Sequence, residues 1–147
     1  MTRPQTYFGA MVTALVVVAA LVALATGLGF AHRALTGRAR QLTRTIDLPK
    51  EVVLGADATL LQFSTEICSP CRATHTVLDG LAREQDGLQH VDLDITHRGD
   101  LASKYNILQT PTTLILDATG TVRARIGGAA RRETVLAELD RILLPAA

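Results

Sequence analysis

The two cysteines of the chain lie three residues apart, in the motif Cys68-Ser69-Pro70-Cys71. A thiolate is the reactive form of cysteine, and two thiols at this spacing can act in turn on a disulfide bond. The first forms a mixed disulfide with a partner, and the second resolves it. The motif therefore indicates thiol–disulfide exchange, with Cys68 predicted to attack and Cys71 predicted to resolve.

The local sequence places this motif at the start of a helix. The mostly apolar run 59–64 predicts a buried strand, and apolar residues at helical spacing then predict a helix from about residue 68 to residue 83. The positive end of the helix dipole would stabilise a thiolate at Cys68. Pro70 suits the first turn, where its missing N–H has no helical partner, and Cys71 would follow one turn further on.

Two other uses of the cysteines are less well supported. Half of a zinc site would need a second pair of ligands, and only His75 lies near the motif in sequence. A purely structural disulfide would close so short a loop that it would restrict the unfolded chain very little. The sequence thus predicts a redox pair, with no metal and no cofactor.

The rest of the chain predicts an α/β fold that supports this pair. Segment 46–54 is expected to form a short strand or a helical turn. The pattern then predicts a strand at 59–64, a helix at 68–83, a strand at 88–95, a helix at 100–105 capped by Asp100, strands at 111–116 and 121–126 joined by a hairpin turn at 117–120, and a helix at 131–144. Because a full helix joins the first two of these strands, they should be parallel. The expected architecture is a mixed central sheet flanked by helices.

The N-terminal segment differs in character from the rest. Residues 4–31 carry no charged side chain, and a helix of the apolar run 7–30 would cross the ~30 Å hydrocarbon core of a bilayer. A buried core helix and a cleaved signal peptide, with Ala23-Leu24-Ala25 as its cleavage site, are the rival interpretations. The run is long for either, so we expect an uncleaved anchor. The predicted domains are a tail and transmembrane anchor at 1–31, a basic juxtamembrane linker at 32–46, and a folded domain at 47–147.

The formal net charge of +1 hides a division along the chain. Residues 1–44 contain five arginines and no acid, whereas residues 45–147 contain ten basic and fourteen acidic residues. The basic segment can bind anionic membrane lipid, and an acidic domain argues against nucleic acid as a partner. Four of the five arginines follow the apolar run. The positive-inside rule therefore predicts a single-pass protein of the cell membrane with its domain in the cytoplasm, an exported domain being the alternative.

Several motifs together resemble the thioredoxin superfamily over about residues 48–144. They are Phe63-x-x-x-x-Cys68-x-Pro70-Cys71-Arg72, Val91-Asp92-Leu93-Asp94, Tyr105-Asn106-Ile107, Thr110-Pro111-Thr112 and the hairpin at Gly120. The resemblance implies an exposed attacking Cys68, a shielded Cys71, and a cis Pro111 beside the cysteines. It implies that Thr110 offers its backbone to an extended protein client, disulfide or dithiol, and that a donor such as a thiol reductase supplies electrons. The anchored architecture further resembles the short membrane-tethered thioredoxin-like proteins of actinobacteria.

The chain departs from the usual pattern of this superfamily at three positions. Ile67 stands where a tryptophan usually precedes the first cysteine, and Ser69 stands where a glycine is usual. Gln62 replaces a buried aspartate that assists proton transfer to the resolving thiol, and an amide cannot act as a base. We expect Ser69, Pro70 and Glu66 to tune the site: the Ser69 hydroxyl by donating to a Cys68 thiolate, and the Glu66 charge by opposing that thiolate.

Three functions are compatible with these residues. The first is a membrane-tethered thiol–disulfide oxidoreductase, which the cysteine pair and Thr110-Pro111 favour. The second is a non-catalytic binding module, which Gln62 and Ile67 favour because they remove two usual features of the site. The third is an electron relay dedicated to one client, such as a peroxidase or a cytochrome maturation factor.

Overall fold

The fold was determined as a computed structural model, which describes residues 5–35 and 37–144. The chain divides into two compact units, residues 1–35 and residues 36–147.

The first unit is a single helix, α1 (Gln5–Leu35), of 31 residues. Its apolar part, Gly9–Ala31, is long and apolar enough to cross a membrane, and none of it is buried. The hydroxyls of Thr13 and Thr26 donate to carbonyl oxygens four residues earlier, at 2.9 and 2.7 Å. The polar groups of these two side chains are therefore satisfied within the helix, as a hydrocarbon environment requires.

The second unit is a five-stranded sheet with three helices. The strands are β1 (Ala39–Thr45), β2 (Ala58–Ser64), β3 (Leu88–Asp94), β4 (Thr112–Asp117) and β5 (Thr121–Gly127), and the helices are α2 (Ser69–Glu84), α3 (Gly99–Lys104) and α4 (Arg132–Leu143). The strand order across the sheet is β1-β5-β4-β2-β3. Strands β2 and β3 are parallel and the other pairs are antiparallel, so the expected mixed sheet is confirmed.

Hydrophobic cores lie on both faces of this sheet. Strand β2 lies between them and is therefore buried along its whole length. Its residues alternate, so that Leu60 faces α2 and α4 while Leu61 and Phe63 face the opposite side. The first core includes Leu78 and Leu81 of α2 and Val135 and Leu139 of α4. The second is covered by α3 and by the segment before β2, through Leu101, Tyr105, Leu48 and Val52. Helices therefore flank both faces. Strand β2 ends at Ser64, four residues before Cys68, so the motif follows directly after the buried strand.

Strand β1 occupies the segment that the sequence predicted to be a basic linker. The strand pairs with β5 from Ala39↔Ile126 to Thr45↔Thr121, so the sheet begins before the predicted boundary at residue 47. Most of its side chains are exposed, and only Ala39 and Leu42 pack against the cores. A strand held mainly by backbone pairing leaves no clear apolar alternation, which is why the sequence did not reveal it.

Two smaller expectations also differ from the structure. Asp100 does not cap α3; the cap residue is Arg98, whose guanidinium binds the Asp100 carboxylate within the first turn at 3.1 Å. Segment 46–54 forms neither a strand nor a helix but a loop, tightened by a hydrogen bond from the Val52 N–H to the Pro49 carbonyl oxygen. Three of its apolar side chains, Ile46, Leu48 and Val52, nevertheless pack on the second core.

Candidate active site

The cysteine motif forms the N-terminus of α2. Cys68 is the cap residue, with an extended backbone, and its Sγ accepts a hydrogen bond from the Cys71 N–H at 3.2 Å. The hydrogen bond expected from the Ser69 hydroxyl concerns a Cys68 thiolate, so it stays a prediction for the reduced protein. Pro70 lies within the first turn of the helix, as expected from its lack of an N–H.

The two cysteines are joined by a disulfide, with their Cα atoms 5.2 Å apart. Their exposures differ, because α2 turns Cys71 inward as it leaves the sheet. Cys71 is 3% exposed, whereas Cys68 is half-buried at the molecular surface. A partner can therefore approach the Cys68 sulfur more readily than the Cys71 sulfur.

Gln62 lies directly beneath the motif, on the buried strand β2. Its Nε2 donates to the Cys71 carbonyl oxygen at 3.0 Å, and the residue is completely buried. Thr113 on β4 is the register partner of Gln62. Gln62 Oε1 and the Thr113 hydroxyl have no hydrogen-bond partner among the described residues. An amide in this position can hold the backbone of the resolving cysteine, but it cannot exchange a proton with the thiol.

The loop before β4 is tied to the loop that precedes Cys68. The Thr110–Pro111 peptide bond is cis, in agreement with the family resemblance, and Pro111 is buried. The hydroxyls of Thr110 and Thr65 lie 3.2 Å apart, which links the two loops directly. The Pro111 carbonyl oxygen accepts the Gly128 N–H at 2.8 Å. The cis-proline loop is thus joined to a residue that precedes Cys68 by three positions.

A polar cleft of about 500 Å³ opens beside Cys71. Its walls come from the end of β2, the loop before the motif, the first turns of α2 and the end of β3; they are formed by Ser64, Thr65, Glu66, Cys71, Arg72, His75, Thr76, Asp92 and Asp94. We call this the acidic cleft, since three of its residues are carboxylates. Of the tuning residues predicted from the sequence, Glu66 lines the cleft, while Ser69 and Pro70 are exposed at the helix terminus.

The charged groups on β3 were not singled out by sequence reasoning as parts of the site. Ser64 Oγ donates to Asp92 Oδ1 at 2.6 Å, and Asp94 Oδ1 accepts both the N–H and the hydroxyl of Thr96. Those hydrogen bonds hold the pKa of Asp94 below its usual value. The period-two alternation of β3, which puts residues 90, 92 and 94 on one face, is the signal that would have found them.

His90 of β3 and His75 of α2 form an edge-to-face pair, with ring centroids 4.9 Å apart. Burial lowers the pKa of His90, and the nearby His75 lowers it further, against the opposing charges of Asp92 and Asp79. Its Nε2 has no hydrogen-bond partner within the described part of the chain. This pair packs α2 onto the sheet at the border of the cleft. Among the described residues, no group of three or more metal-ligating side chains is arranged to hold a metal ion.

A mixed sheet, with a disulfide at a helix N-terminus and a cis-proline loop tied to the preceding loop, defines a thioredoxin-like site. Comparison with known proteins gives the same result, since the thioredoxin family model matches residues 43–141. Thioredoxin C-2 of Corynebacterium nephridii is 37% identical over 83 residues, which are 56% of this chain and 76% of that protein. The thioredoxin of Pseudomonas aeruginosa is 37% identical over 90 residues, 60% of this chain and 82% of the relative.

Solved structures show the same fold. The thioredoxin of Fasciola hepatica superposes with a TM-score of 0.52 at 22% identity, covering 60% of this chain and 83% of its own. A mutant thioredoxin of Halobacterium salinarum gives a TM-score of 0.54 at 21% identity, covering 62% of this chain and 79% of its own. The chain belongs to the thioredoxin family, and its Cys68–Cys71 pair makes it a thiol–disulfide oxidoreductase.

Proposed function

We propose that this chain is a membrane-tethered thiol–disulfide oxidoreductase in which Cys68 attacks and Cys71 resolves. The observation that carries the proposal is the unequal exposure of the two sulfurs at the α2 N-terminus, with Cys71 3% exposed and Cys68 half-buried. An incoming sulfur reaches Cys68 first. The helix terminus that begins at Cys68 stabilises negative charge on this residue.

In the reducing direction, the Cys68 thiolate attacks one sulfur of a client disulfide, and the client's S–S bond breaks as the Cys68 mixed disulfide forms. The other client sulfur leaves in that step as a thiolate. Cys71 then attacks Cys68, and the client sulfur held in the mixed disulfide leaves with its electron pair as a second thiolate. Two electrons thus pass from the cysteine pair to the client. The oxidised pair returns to the dithiol when a donor such as a thiol reductase reverses the sequence.

The surface around Cys68 supports a protein as the client. Thr110 and Pro111 lie in the loop tied to Thr65, and they are the residues proposed to bind an extended segment of the client. Ile67 is 99% exposed and Leu108 is 85% exposed, so each of the two loops presents an apolar side chain to solvent. Ser69, Pro70 and Glu66 are proposed to tune the reactivity of Cys68 from the helix start and the cleft rim.

The tether is proposed from α1, whose apolar part is long enough to cross a bilayer. Arginines at 33, 38, 40 and 44 follow it, and they favour a cytoplasmic domain and contact with anionic lipid. Reporter fusions at the C-terminus, one active only in the cytoplasm and one only after export, test the orientation. Activity of the exported reporter alone would reverse the proposed topology.

The exchange reaction is tested with the full chain in detergent and a protein disulfide as substrate. Cys68→Ser should abolish reduction, and Cys71→Ser should accumulate a mixed disulfide with the client, which identifies that client after capture from membranes. Ser103→Ala, at an exposed serine of α3 outside the motif, is the control for substitution without loss of a sulfur. Equal reduction by the wild type and Cys68→Ser would refute the proposal.

A binding module that does not cycle is the second candidate, and the burial of Gln62 in place of a proton-exchanging group favours it. It predicts a cysteine pair whose oxidation state has no effect on partner binding. Measuring partner affinity for the oxidised and the reduced protein separates the two functions.

A dedicated electron relay would instead show weak reduction of general substrates and rapid reduction of one captured client.

A further inference from the structure

The resolving thiol needs a group that takes its proton, and this inference therefore rests on the proposed function. Cys71 attacks as a thiolate, but its sulfur is almost completely buried, where the charged form is disfavoured. Gln62, the buried polar side chain that contacts its backbone, can only donate through its amide nitrogen or accept through its oxygen. The proton must go to another group that Cys71 can reach.

The acidic cleft offers the route, because Cys71 lines it together with three carboxylates. Asp94 is a weak acceptor, since two hydrogen bonds from Thr96 stabilise its ionised form. Glu66 lies on the exposed loop, with its backbone N–H bound to the Thr96 hydroxyl. Neither carboxylate is fixed on the part of the sheet beneath Cys71.

Asp92 is the register partner of Gln62 across the parallel pair β2–β3, so it lies on the same sheet face as the residue that contacts the Cys71 backbone. It lines the cleft with Cys71, and its side chain is exposed to the water there. Ser64 Oγ, which belongs to a residue only 9% exposed, donates to Asp92 Oδ1 at 2.6 Å. Asp92 Oδ2 accepts no hydrogen bond from the described residues and remains available to a proton.

We propose that Asp92, positioned by Ser64, accepts the proton of the Cys71 thiol across the acidic cleft through water. As the S–H bond breaks, the Cys71 sulfur forms the S–S bond with Cys68, and the bond between Cys68 and the client sulfur breaks. The client sulfur leaves as a thiolate with the electron pair. Asp92 then releases its proton to the water of the open cleft.

Several other charged groups face Asp92, and the test must separate them. Helix α2 contributes Arg72 and His75 to the cleft, the preceding loop contributes Glu66, and β3 contributes Asp94. His90, two residues before Asp92, interacts with the charges of both Asp92 and Asp79. His75 is the strongest rival, since it also lines the cleft with Cys71 and its imidazole ring can accept a proton. Its ring, however, packs against that of His90.

The experiment uses the reduced full chain in detergent, mixed rapidly with one equivalent of the uncharged disulfide dithiodipyridine. Two molecules of thiopyridone are released, the first by attack of Cys68 and the second by attack of Cys71. Asp92→Asn should leave the first phase unchanged and slow the second about 100-fold near pH 7, at the lower end of general-base effects. The difference should become smaller as pH rises, because a thiol that is already ionised needs no proton acceptor.

Whether the second phase slows or accelerates in Asp92→Asn distinguishes the loss of a proton acceptor from the loss of a negative charge. Loss of a nearby negative charge alone would favour the Cys71 thiolate and accelerate the second phase. Asp94→Asn, the matched control on the same strand and cleft, should not slow it. Ser64→Ala should slow it less than Asp92→Asn, and Asp92→Glu, which keeps a carboxylate, should restore most of the rate.

Each of the following results would contradict either the role of Asp92 or the proposed function. An unslowed second phase in Asp92→Asn, or equal slowing in Asp94→Asn, rules out Asp92 as the proton acceptor. Slowing by His75→Gln with a normal Asp92→Asn assigns the proton to the histidine instead. Loss of the first phase in the wild type would contradict the proposed function itself, and circular dichroism of each variant verifies that it is folded.

Discussion

The side-chain amide of Gln62 donates a hydrogen bond to the carbonyl oxygen of Cys71, 3.0 Å away, in the core between β2 and α2. The bond ties the resolving cysteine to the centre of the sheet, because β2 is buried along its whole length. A donor is required at this position, since the group it meets is an acceptor. The amide therefore suits the position sterically and chemically, although it cannot exchange a proton.

Gln62→Glu should make the stability of the domain depend on pH. The ionised carboxylate would face the Cys71 carbonyl without a proton to donate, so burial should raise the pKa of the new side chain above that of a glutamate in the unfolded chain. The variant should therefore be stable below the unfolded value and lose stability as pH rises through the folded value. We expect a loss of roughly 2–4 kcal/mol at pH 8, measured by urea unfolding.

Gln62→Leu is the control for that variant. It removes both amide atoms, including the Oε1 that has no partner among the described residues, without introducing a charge. Its cost should be about 1 kcal/mol and should not vary with pH. A Gln62→Glu protein as stable as wild type at pH 8 would show that the Cys71 carbonyl does not require a donor.

Thr74→Val should destabilise the domain through a lost acceptor. The Thr74 hydroxyl accepts the buried N–H of Ala130 at 3.2 Å, which fastens the turn before α4 to α2. An unpaired buried N–H should reduce the free energy of unfolding by about 1–3 kcal/mol. Thr76→Val, on the exposed side of the same helix, should change it by less than about 0.5 kcal/mol. Equal effects in chemical denaturation would contradict this account.

Gly80→Ala should stabilise α2. A Cβ at this position would meet no atom within 4 Å, so the gain in helix propensity, about 1 kcal/mol, should appear without a steric penalty. Gly55→Ala should do the opposite, because its Cβ would lie 2.3 Å from the Ala58 carbonyl oxygen and 2.6 Å from that of Gly87. The backbone would have to move, at a cost of about 2–3 kcal/mol. Thermal unfolding should separate the two variants in opposite directions.

His90 should make the domain less stable in mild acid. Burial, assisted by His75, lowers its pKa from the usual value of 6.5, so the unfolded chain binds a proton before the folded one does. Stability should therefore fall as pH drops below 6.5 and level off beneath the folded value. His90→Gln should remove this part of the slope, whereas His97→Gln, on an exposed residue, should keep it. An unchanged slope in His90→Gln would show that His90 does not carry it.

Local pattern was sufficient for the elements whose side chains are buried on one side or on both. The apolar run of β2, the helical spacing in α2 and the turn at Gly120 predicted these elements to within one or two residues. Strand β1 was missed because its stability comes from a partner more than 70 residues away and not from its own side chains. The secondary-structure preferences of its own residues do not predict pairing with so distant a strand.

The site was predictable to a similar degree. The cysteine motif carries its own chemistry, and the family resemblance implied the cis bond at Pro111. The hydrogen bond between Ser64 and Asp92 joins residues 28 apart, and nothing in either local sequence indicates it. Only the parallel register of β2 and β3 brings that carboxylate into the cleft that the resolving cysteine also lines.

Strand β1 also sets the boundary for any soluble version of this protein. The Gly37 N–H donates to the Gly127 carbonyl oxygen at 2.9 Å. Gly37 has a positive φ of 80°, and a Cβ on this residue would lie 2.7 Å from the Ala129 carbonyl oxygen. A recombinant domain that begins at residue 46 would leave the whole length of β5 as an open sheet edge, which invites aggregation. One that begins at Gly37 keeps the edge covered and is the version suited to crystallisation.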